Sequence, residues 1–583
     1  MSDGEYLFLA IVIVGILGIL GHLIRVYIRD KKKLGTKSTH RTFQAKQESK
    51  SGPRPFSGTF YTPNIQDAEK PILGIDLGTC TSSVGIIYKN KPFIVKNKDG
   101  KEREPSLVTF TKEGLIYVGN EAEKILEKYE ATNITISSIK RKMGNIEGTV
   151  VINGRKYYPQ IISALILAHL RKQAEDYFGM SFEDAVISVP ANFNMIQKQA
   201  TKEAAELAGL KIIRVENEAV ASAVGHGLPY GGEAKIVIVD VGGGTFDCAI
   251  LSEGEGVFEV KGVSGNTQLG GEDFTDRILE YAEKYIKYEE GIEIQDNIVN
   301  RQRLRETAEK AKITLSTQKT VDINIPYMQT KSNEFVNIKI YITREKYEEL
   351  IEPYVKEIIN TIKKTISSSG YTMNDIDSVV LVGGASKTPI IKRKVEEVFG
   401  KDKISPLKYA NPETAVITGT IIMASILGGH KGSEELVVLD VFPKSLGIAL
   451  QGEQFDCLIA KNSTIPTFKS KIFTTTEDNQ KAVNIALYMG QNESIRENEF
   501  ICNLVLDGIP PAKKGIPKIE VKIDIDANGI IHVSGKDLGT GKGVLTRIDM
   551  ANTLTQDEKE KISKSIKDWI YFDRKISLGS VAK

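Results

Sequence analysis

Two stretches of this chain, about 160 residues apart, repeat one pattern, and the repeat limits the possible folds more than any other feature. In the first, an apolar strand begins at Ile72 and runs into Gly74-Ile75-Asp76-Leu77-Gly78-Thr79-Cys80-Thr81, and a second strand follows from Val84 to Tyr88. In the other, Lys235 to Val239 leads into Asp240-Val241-Gly242-Gly243-Gly244-Thr245-Phe246-Asp247, and Cys248 to Leu251 continues. Each reads as a β-hairpin whose turn lets backbone N–H groups approach a phosphate closely. An Asp at the strand end suits the water shell that Mg²⁺ retains. One such hairpin could be a tight turn with a structural Asp; two suggest a duplicated α/β domain whose hairpins face each other across a cleft. A third apolar strand, Val379 to Val382, ends in Gly383-Gly384-Ala385-Ser386 before Pro389, where a helix can start and a nucleoside could be received. None of the three turns is a Walker A loop or a dinucleotide GxGxxG.

With 583 residues the chain has room for several domains of about 100–200 residues each. Its 77 basic and 75 acidic residues leave a net charge of +2, so no global field draws it onto nucleic acid, and none is expected as a partner. Four scattered cysteines, Cys80, Cys248, Cys457 and Cys502, form no CxxC pair and argue for neither a disulfide framework nor zinc.

Tyr6 to Ile24 carries no formal charge, and we read residues 1–28 as an N-terminal tail with an uncleaved single-pass anchor over 6–28. A cleaved signal peptide would have a basic N-terminal flank, whereas Asp3 and Glu5 stand here. Arg25, Arg29, Lys31, Lys32 and Lys33 all follow the uncharged run Tyr6–Ile24, which places the bulk of the chain in the cytosol by the positive-inside rule. The opposite orientation, in the endoplasmic reticulum lumen, would expose the sequons at Asn133, Asn462 and Asn492. Residues 29–70 are polar and aperiodic and read as a flexible tether.

The runs GIDLGTCTSSVG, IKRKMG, AVISVPANF, DVGGGTFD, LGGEDF, AEKAKITLS and VLVGGASKTP resemble, in order and spacing, the ATPase domain of the seventy-kilodalton heat-shock protein family. The likeness extends from about Pro71 through Asn552. SGNTQLGGEDF and AVITGTIIMASILGG are also similar to the membrane-anchored microsomal stress-protein ATPase branch, which lacks the second half present here. The resemblance implies an actin-like, two-lobed α/β ATPase domain over 71–431 that binds ATP or ADP with Mg²⁺, with K⁺ as a further candidate ion. Asp76 and Asp240 would hold the metal's water shell, Asp247 and Glu218 would lie by the attacking water, and Lys140 would position that water near the γ-phosphate. A cation there would stabilise charge that develops during phosphoryl transfer, although outside this context a lysine on a helix is usually a surface residue. Gly78, Thr79, Cys80 and Thr81 match the first phosphate turn and Gly242, Gly243, Gly244 and Thr245 the second. Cys80 stands where the family offers a hydroxyl, and a thiol is a weaker donor.

On the adenosine side, Glu309, Lys312, Ser316, Gly383, Gly384, Ser386 and Lys387 match residues that hold ribose and base. Ile313 and Lys387 stand where many relatives place arginines, and neither stacks as a planar guanidinium does, so weaker nucleotide affinity is expected. Pro190, and Lys198 in place of a usual arginine, match a relay between domains.

Glu434 to Asp440 resembles the family's interdomain linker, assigned to 432–440, with a plain edge strand as the alternative. Short β-rich runs split by turn residues over 441–552 predict an all-β sandwich, which by resemblance binds extended hydrophobic polypeptides of unfolded proteins. Its pocket would use Ile448, Phe473, Val483 and Ile485, residues that any sandwich would bury, under an arch from Gln451 and Thr476 that is more polar than usual. Residues 553–583 hold one helix, opened by a capping box at Thr555–Glu558 and apolar at Ile562, Ile566, Trp569 and Ile570; it reads as a truncated lid, with rapid peptide exchange expected. The reading is an ATP-hydrolysing chaperone at a membrane, with a J-domain co-chaperone and a nucleotide-exchange factor as partners. A small-molecule kinase of the actin-like superfamily and a non-hydrolysing membrane adaptor are the alternatives.

Overall fold

The computed structural model describes residues 71–571 except 128–132, 153, 227–232, 255–256, 406–410, 430–436, 528 and 548–553. The anchor over 6–28 and the tether over 29–70 lie outside the described residues. Among the described residues no helix is long and apolar enough to cross a membrane.

Both repeated hairpins form, and each sits at the centre of its own sheet. In the first lobe, Leu73–Asp76 pairs antiparallel with Thr81–Tyr88 and parallel with Asp184–Val189, and Lys91–Ile94 and Lys211–Asn217 flank them. In the second, Ala234–Val241 pairs antiparallel with Phe246–Gly254 and parallel with Ser378–Val382, and Val257–Asn266 follows. The same local order recurs because one sequence pattern specifies it twice. Six consecutive buried residues in Ala234–Val241 are explained by cover on both faces, as expected for the parallel part of an α/β sheet.

The helices Glu218–His226 and Ala415–Leu427 pack face to face between the two sheets. Two glycines allow the approach: a Cβ at Gly419 would lie 1.7 Å from the Ala221 carbonyl oxygen, and one at Gly225 would lie 2.1 Å from that of Ala415. Such contacts are impossible for any other residue, so the glycines set the spacing of the lobes.

Two four-stranded antiparallel sheets form the β-sandwich. One holds Leu446–Ala449, Phe455–Ile459, Ala482–Met489 and Glu499–Asp507; the other holds Thr467–Phe473, Ile519–Ile525, Ile531–Asp537 and Gly543–Arg547. Strict alternation in Ile519–Ile525 and Ile531–Asp537 turns Val521, Ile523, Ile525, Ile531 and Val533 inward.

The connector reconciles the two sequence readings. Val437–Phe442 is a strand at the edge of the second lobe's sheet, parallel to Val257–Asn266, and its far end pairs with Ser463–Ile465 of the sandwich. It therefore links the domains by being shared between their strand networks, and it runs past the expected boundary at 441.

The C-terminal helix corrects an expectation. Gln556–Tyr571 is helical and begins with the Thr555–Glu558 box, yet it packs on the first lobe, where Ile562, Ile566 and Trp569 join the core beside the helices Pro159–Phe178 and Met195–Leu207. The reason is complementarity. Trp569 Nε1 donates to the Ile116 carbonyl at 3.3 Å, and Lys559 Nζ lies 2.9 Å from buried Glu203.

At the seam between the first lobe and the connector, Glu216 is buried, with Arg214 Nε 3.0 Å from its carboxylate. Burial pushes its pKa up to about 7 despite Arg214, and the Asp440 carboxylate adds to the rise. Unfolded, the group titrates near 4.5, so the folded chain holds an extra proton between these values and loses stability as pH rises from 4.5 to 7. Glu216→Gln is expected to melt at a higher temperature relative to wild type at pH 8 than at pH 5, a difference on the order of 3 kcal/mol at most. Parallel melting of both proteins at the two pH values checks this; equal offsets would remove the buried charge from the account.

Candidate active site

The ends of the paired hairpin strands bring three carboxylates to the floor of the cleft, where a fourth, from Glu218 at a helix start, joins them beside one lysine. Lys140 does not lie on a surface helix. It sits in the 3₁₀ turn Ile139–Lys142, 3% exposed, and its Nζ donates to the Glu218 carboxylate at the start of Glu218–His226. Asp240 and Asp247, paired across the second hairpin, are equally buried. Asp76 keeps some surface open to the cleft and accepts from Ser188 Oγ at 3.1 Å; the cleft walls still desolvate its carboxyl.

The charges do not balance. Burial raises the pKa of all four carboxyls, most clearly those of Asp240 and Asp247. Burial, then the Glu218 carboxylate, push Asp247 up to about 8 against the pull of Lys140. For Lys140 burial works against the charge, but Glu218 and then Asp76 outweigh it and raise its pKa, so the lysine stays a cation. A floor with several carboxyls and one cation fits a divalent ion. Among the described residues no group of three or more His, Cys, Asp or Glu side chains is placed to hold a metal ion directly.

The two glycine turns meet above this floor. A Cβ at Gly243 would lie 2.4 Å from Cys80 Sγ, and one at Gly244 would lie 2.3 Å from Thr79 Cγ2, so the two glycine turns face each other directly. Thr79 and Thr245 are buried there, whereas Gly78, Thr81 and Gly242 are partly open. The N-terminus of Gly271–Tyr288 braces the second turn: Gly271 N–H donates to the Gly242 carbonyl at 3.0 Å and Glu272 N–H to that of Gly243 at 2.7 Å. Cys80 opens onto the cleft, 3.6 Å from Glu272 Oε1. Water in a narrow cleft solvates poorly, and desolvation followed by the Glu272 charge pushes the thiol up to about 12; its backbone N–H is the better donor.

Among the residues expected to hold adenosine, Lys312 Nζ donates to Glu309 Oε2 at 2.6 Å and to the Gly271 carbonyl at 2.9 Å, one turn before Ser316. The third strand, Ser378–Val382, turns at Gly383, whose φ of 81° favours glycine, into the 3₁₀ turn Gly384–Lys387 and the helix Pro389–Phe399. Ser386 is buried and donates to the Gly383 carbonyl at 2.7 Å. Ile313 is 60% exposed, and Lys387 Nζ pairs with Glu413 at 3.2 Å, so neither stacks.

Sequence reasoning missed Arg141. From the first lobe its Nε donates to the Gly244 carbonyl at 2.8 Å, and its guanidinium pairs with Asp273 in the second lobe. The only signal was its place beside Lys140. Arg103, 2.9 Å from Glu413, was missed likewise.

Buried Pro190 ends Asp184–Val189, and in the following loop Asn192 N–H donates to Asp247 Oδ1 at 3.3 Å. Lys198 lies in a crevice with Phe442, Lys444 and Gly529. Of the expected peptide pocket, Ile448 and Ile485 are sandwich core and Phe473 and Val483 are half-buried against it. Gln451 and Thr476 are exposed on separate loops, and Thr476 N–H donates to Gln480 Oε1 at 2.9 Å. A family model described as Hsp70 protein matches residues 72–576.

Replacing Lys140 by Met is expected to lower ATP turnover by about 10²–10³-fold, since it removes a buried cation that would face the developing charge. A steady-state assay with wild-type rates would refute that role. Arg141→Ala should speed nucleotide release about tenfold by cutting the bridge between lobes. Stopped-flow displacement of a fluorescent nucleotide measures it.

Proposed function

Because this chain belongs to the Hsp70 family, whose members are ATP-driven chaperones, we propose that it clamps extended hydrophobic segments of unfolded proteins and couples their exchange to ATP hydrolysis at its own cleft. The observation that carries this reading is the buried Lys140–Glu218 pair, ringed by Asp76, Asp240 and Asp247, under two facing glycine turns.

Each group has work that its position suits. Backbone N–H groups of the two turns, with Thr79, Thr81 and Thr245, would cradle the phosphates. Mg²⁺, when bound with nucleotide, neutralises phosphate charge, and Asp76 and Asp240 would hold its water shell. Lys140 would orient the attacking water and face the γ-phosphate, and Asp247 and Glu218 would lie beside that water as hydrogen-bond partners. Burial raises the pKa of the Asp247 carboxyl, a direction that suits proton exchange nearer neutrality. Glu309, Lys312, Ser316 and Ser386 would receive the nucleoside, with a weaker grip for want of stacking arginines.

The sandwich would take its peptide by backbone hydrogen bonds and one aliphatic side chain, at Phe473 and Val483 beside Ile448 and Ile485. A J-domain protein and a nucleotide-exchange factor are its expected partners. The apolar run Tyr6–Ile24, with basic residues after it, supports a single-pass anchor over 6–28 that leaves these domains in the cytosol.

An extended hydrophobic peptide is expected to raise ATP turnover several-fold above the basal rate. Absence of stimulation together with phosphate transfer to a metabolite would replace this reading by the kinase one, and absence of any turnover would leave a scaffold. Protease treatment of intact vesicles is expected to digest residues 71–571; full protection would reverse the orientation.

A further inference from the structure

The end of the first lobe at which the chain arrives from residues 29–70 carries a cluster of aromatic rings. Leu73–Asp76 runs antiparallel to Thr81–Tyr88 and parallel to Asp184–Val189. Pro71, just before it, therefore lies at the end of the sheet where Tyr88 turns back to Lys91 and where the helix Pro159–Phe178 stops. The turn between those strands, Lys89-Asn90, has φ of 48° and 68°, the two positive angles of a tight hairpin, and it leaves Lys89 and Lys91 exposed at the tip. Against this tip the Phe178 ring lies 5.7 Å from Tyr88, 6.0 Å from Phe93, 4.9 Å from Tyr177 and 6.1 Å from Phe182. Phe182 is buried in the lobe's core, whereas Tyr177 is 53% exposed, so the rings form one continuous wedge from core to surface.

We propose that this wedge rests in the interfacial layer of the phospholipid bilayer that holds the anchor, so that the hairpin tip of the first lobe faces the membrane. Tyrosine suits that layer because its ring is apolar and its hydroxyl stays wet. Lys89, 5.0 Å from the Tyr88 ring, and Lys91 have stems long enough to lie along such a surface while their charges reach the headgroups. The place of entry supplies the rest of the argument: the chain that follows the apolar run Tyr6–Ile24 joins the lobe beside these rings and not on another face. Covalent attachment makes the contact intramolecular, so a patch too weak to bind a bilayer as a free domain is held there by proximity. Charges at this end are mixed, Lys89, Lys91 and Lys211 against Glu183 and Asp184, which favours aromatic seating over a polybasic grip on anionic lipid. The proposal rests on the anchor reading of residues 6–28, and it holds for either orientation of the chain.

The test uses the full chain in phosphatidylcholine vesicles made with or without bromine on the upper part of the acyl chains, where bromine quenches a nearby indole. The sole tryptophan, Trp569, is buried, so wild type gives the background. Tyr177→Trp replaces an exposed ring by a larger one, and brominated lipid is expected to lower its added fluorescence by about half, as for a ring seated at the headgroup boundary. Tyr341→Trp, at a position 55% exposed on the second lobe, is expected to show no quenching above background. Absence of quenching at 177, as a second copy or another protein over the rings would produce, would overturn the proposal, and so would equal quenching at 177 and 341. Flotation with the vesicles after alkaline extraction reports the anchor separately. A chain that floats without quenching at 177 keeps its anchor and loses this surface; one that fails to float loses both.

Discussion

The architecture is organised around the burial of more negative than positive charge at one point. Lys140 faces Glu218, Asp76, Asp240 and Asp247, and a lone cation cannot neutralise that set. Desolvation makes an uncompensated carboxylate costly, and proteins answer by protonation, by pairing or by binding a cation. The first two are visible here: raised carboxyl pKa values and a lysine held charged by its neighbours. A divalent cation would offset part of the negative charge that the polypeptide leaves uncompensated.

Holding that charge requires rigid walls, and the walls are the two sheets. Each glycine turn is short enough to meet the other only because strand pairing fixes where the hairpins end, and the Gly225–Gly419 crossing sets the distance between lobes. Arg141 then ties the closed position across the cleft, by one hydrogen bond to the Gly244 carbonyl and an ion pair to Asp273. Closure depends on a bidentate contact that a lysine would not reproduce.

The β-sandwich is held on different terms from either lobe. It is joined to the second lobe by a shared strand and to the first by Met195, while the C-terminal helix is spent on the first lobe's core. Strand sharing transmits pull along the backbone, and apolar seating resists separation without fixing an angle. The sandwich is thus tied to the two lobes by contacts of different kinds.

The repeated hairpins, the third glycine turn, the alternating sandwich strands and the capped terminal helix were all readable from residue order, because each depends on periodicity or on turn chemistry within a few residues. A duplicated α/β fold and the strand-end carboxylates Asp76 and Asp240 followed from that, whereas the actin-like assignment and the placing of Glu218, Asp247 and Lys140 in the cleft came from the family resemblance. What the terminal helix packs against was not readable: Trp569 meets Ile116 across 453 residues of chain. Neither was the Arg141–Asp273 bridge, which spans 132 residues, nor the entry of Met195 into the sandwich. An apolar face or a lone charge states that it needs a partner and not which one. Local order thus determined the elements and the chemistry they carry; only the packed structure decided which distant surfaces were complementary, because desolvation and pairing are settled when surfaces meet.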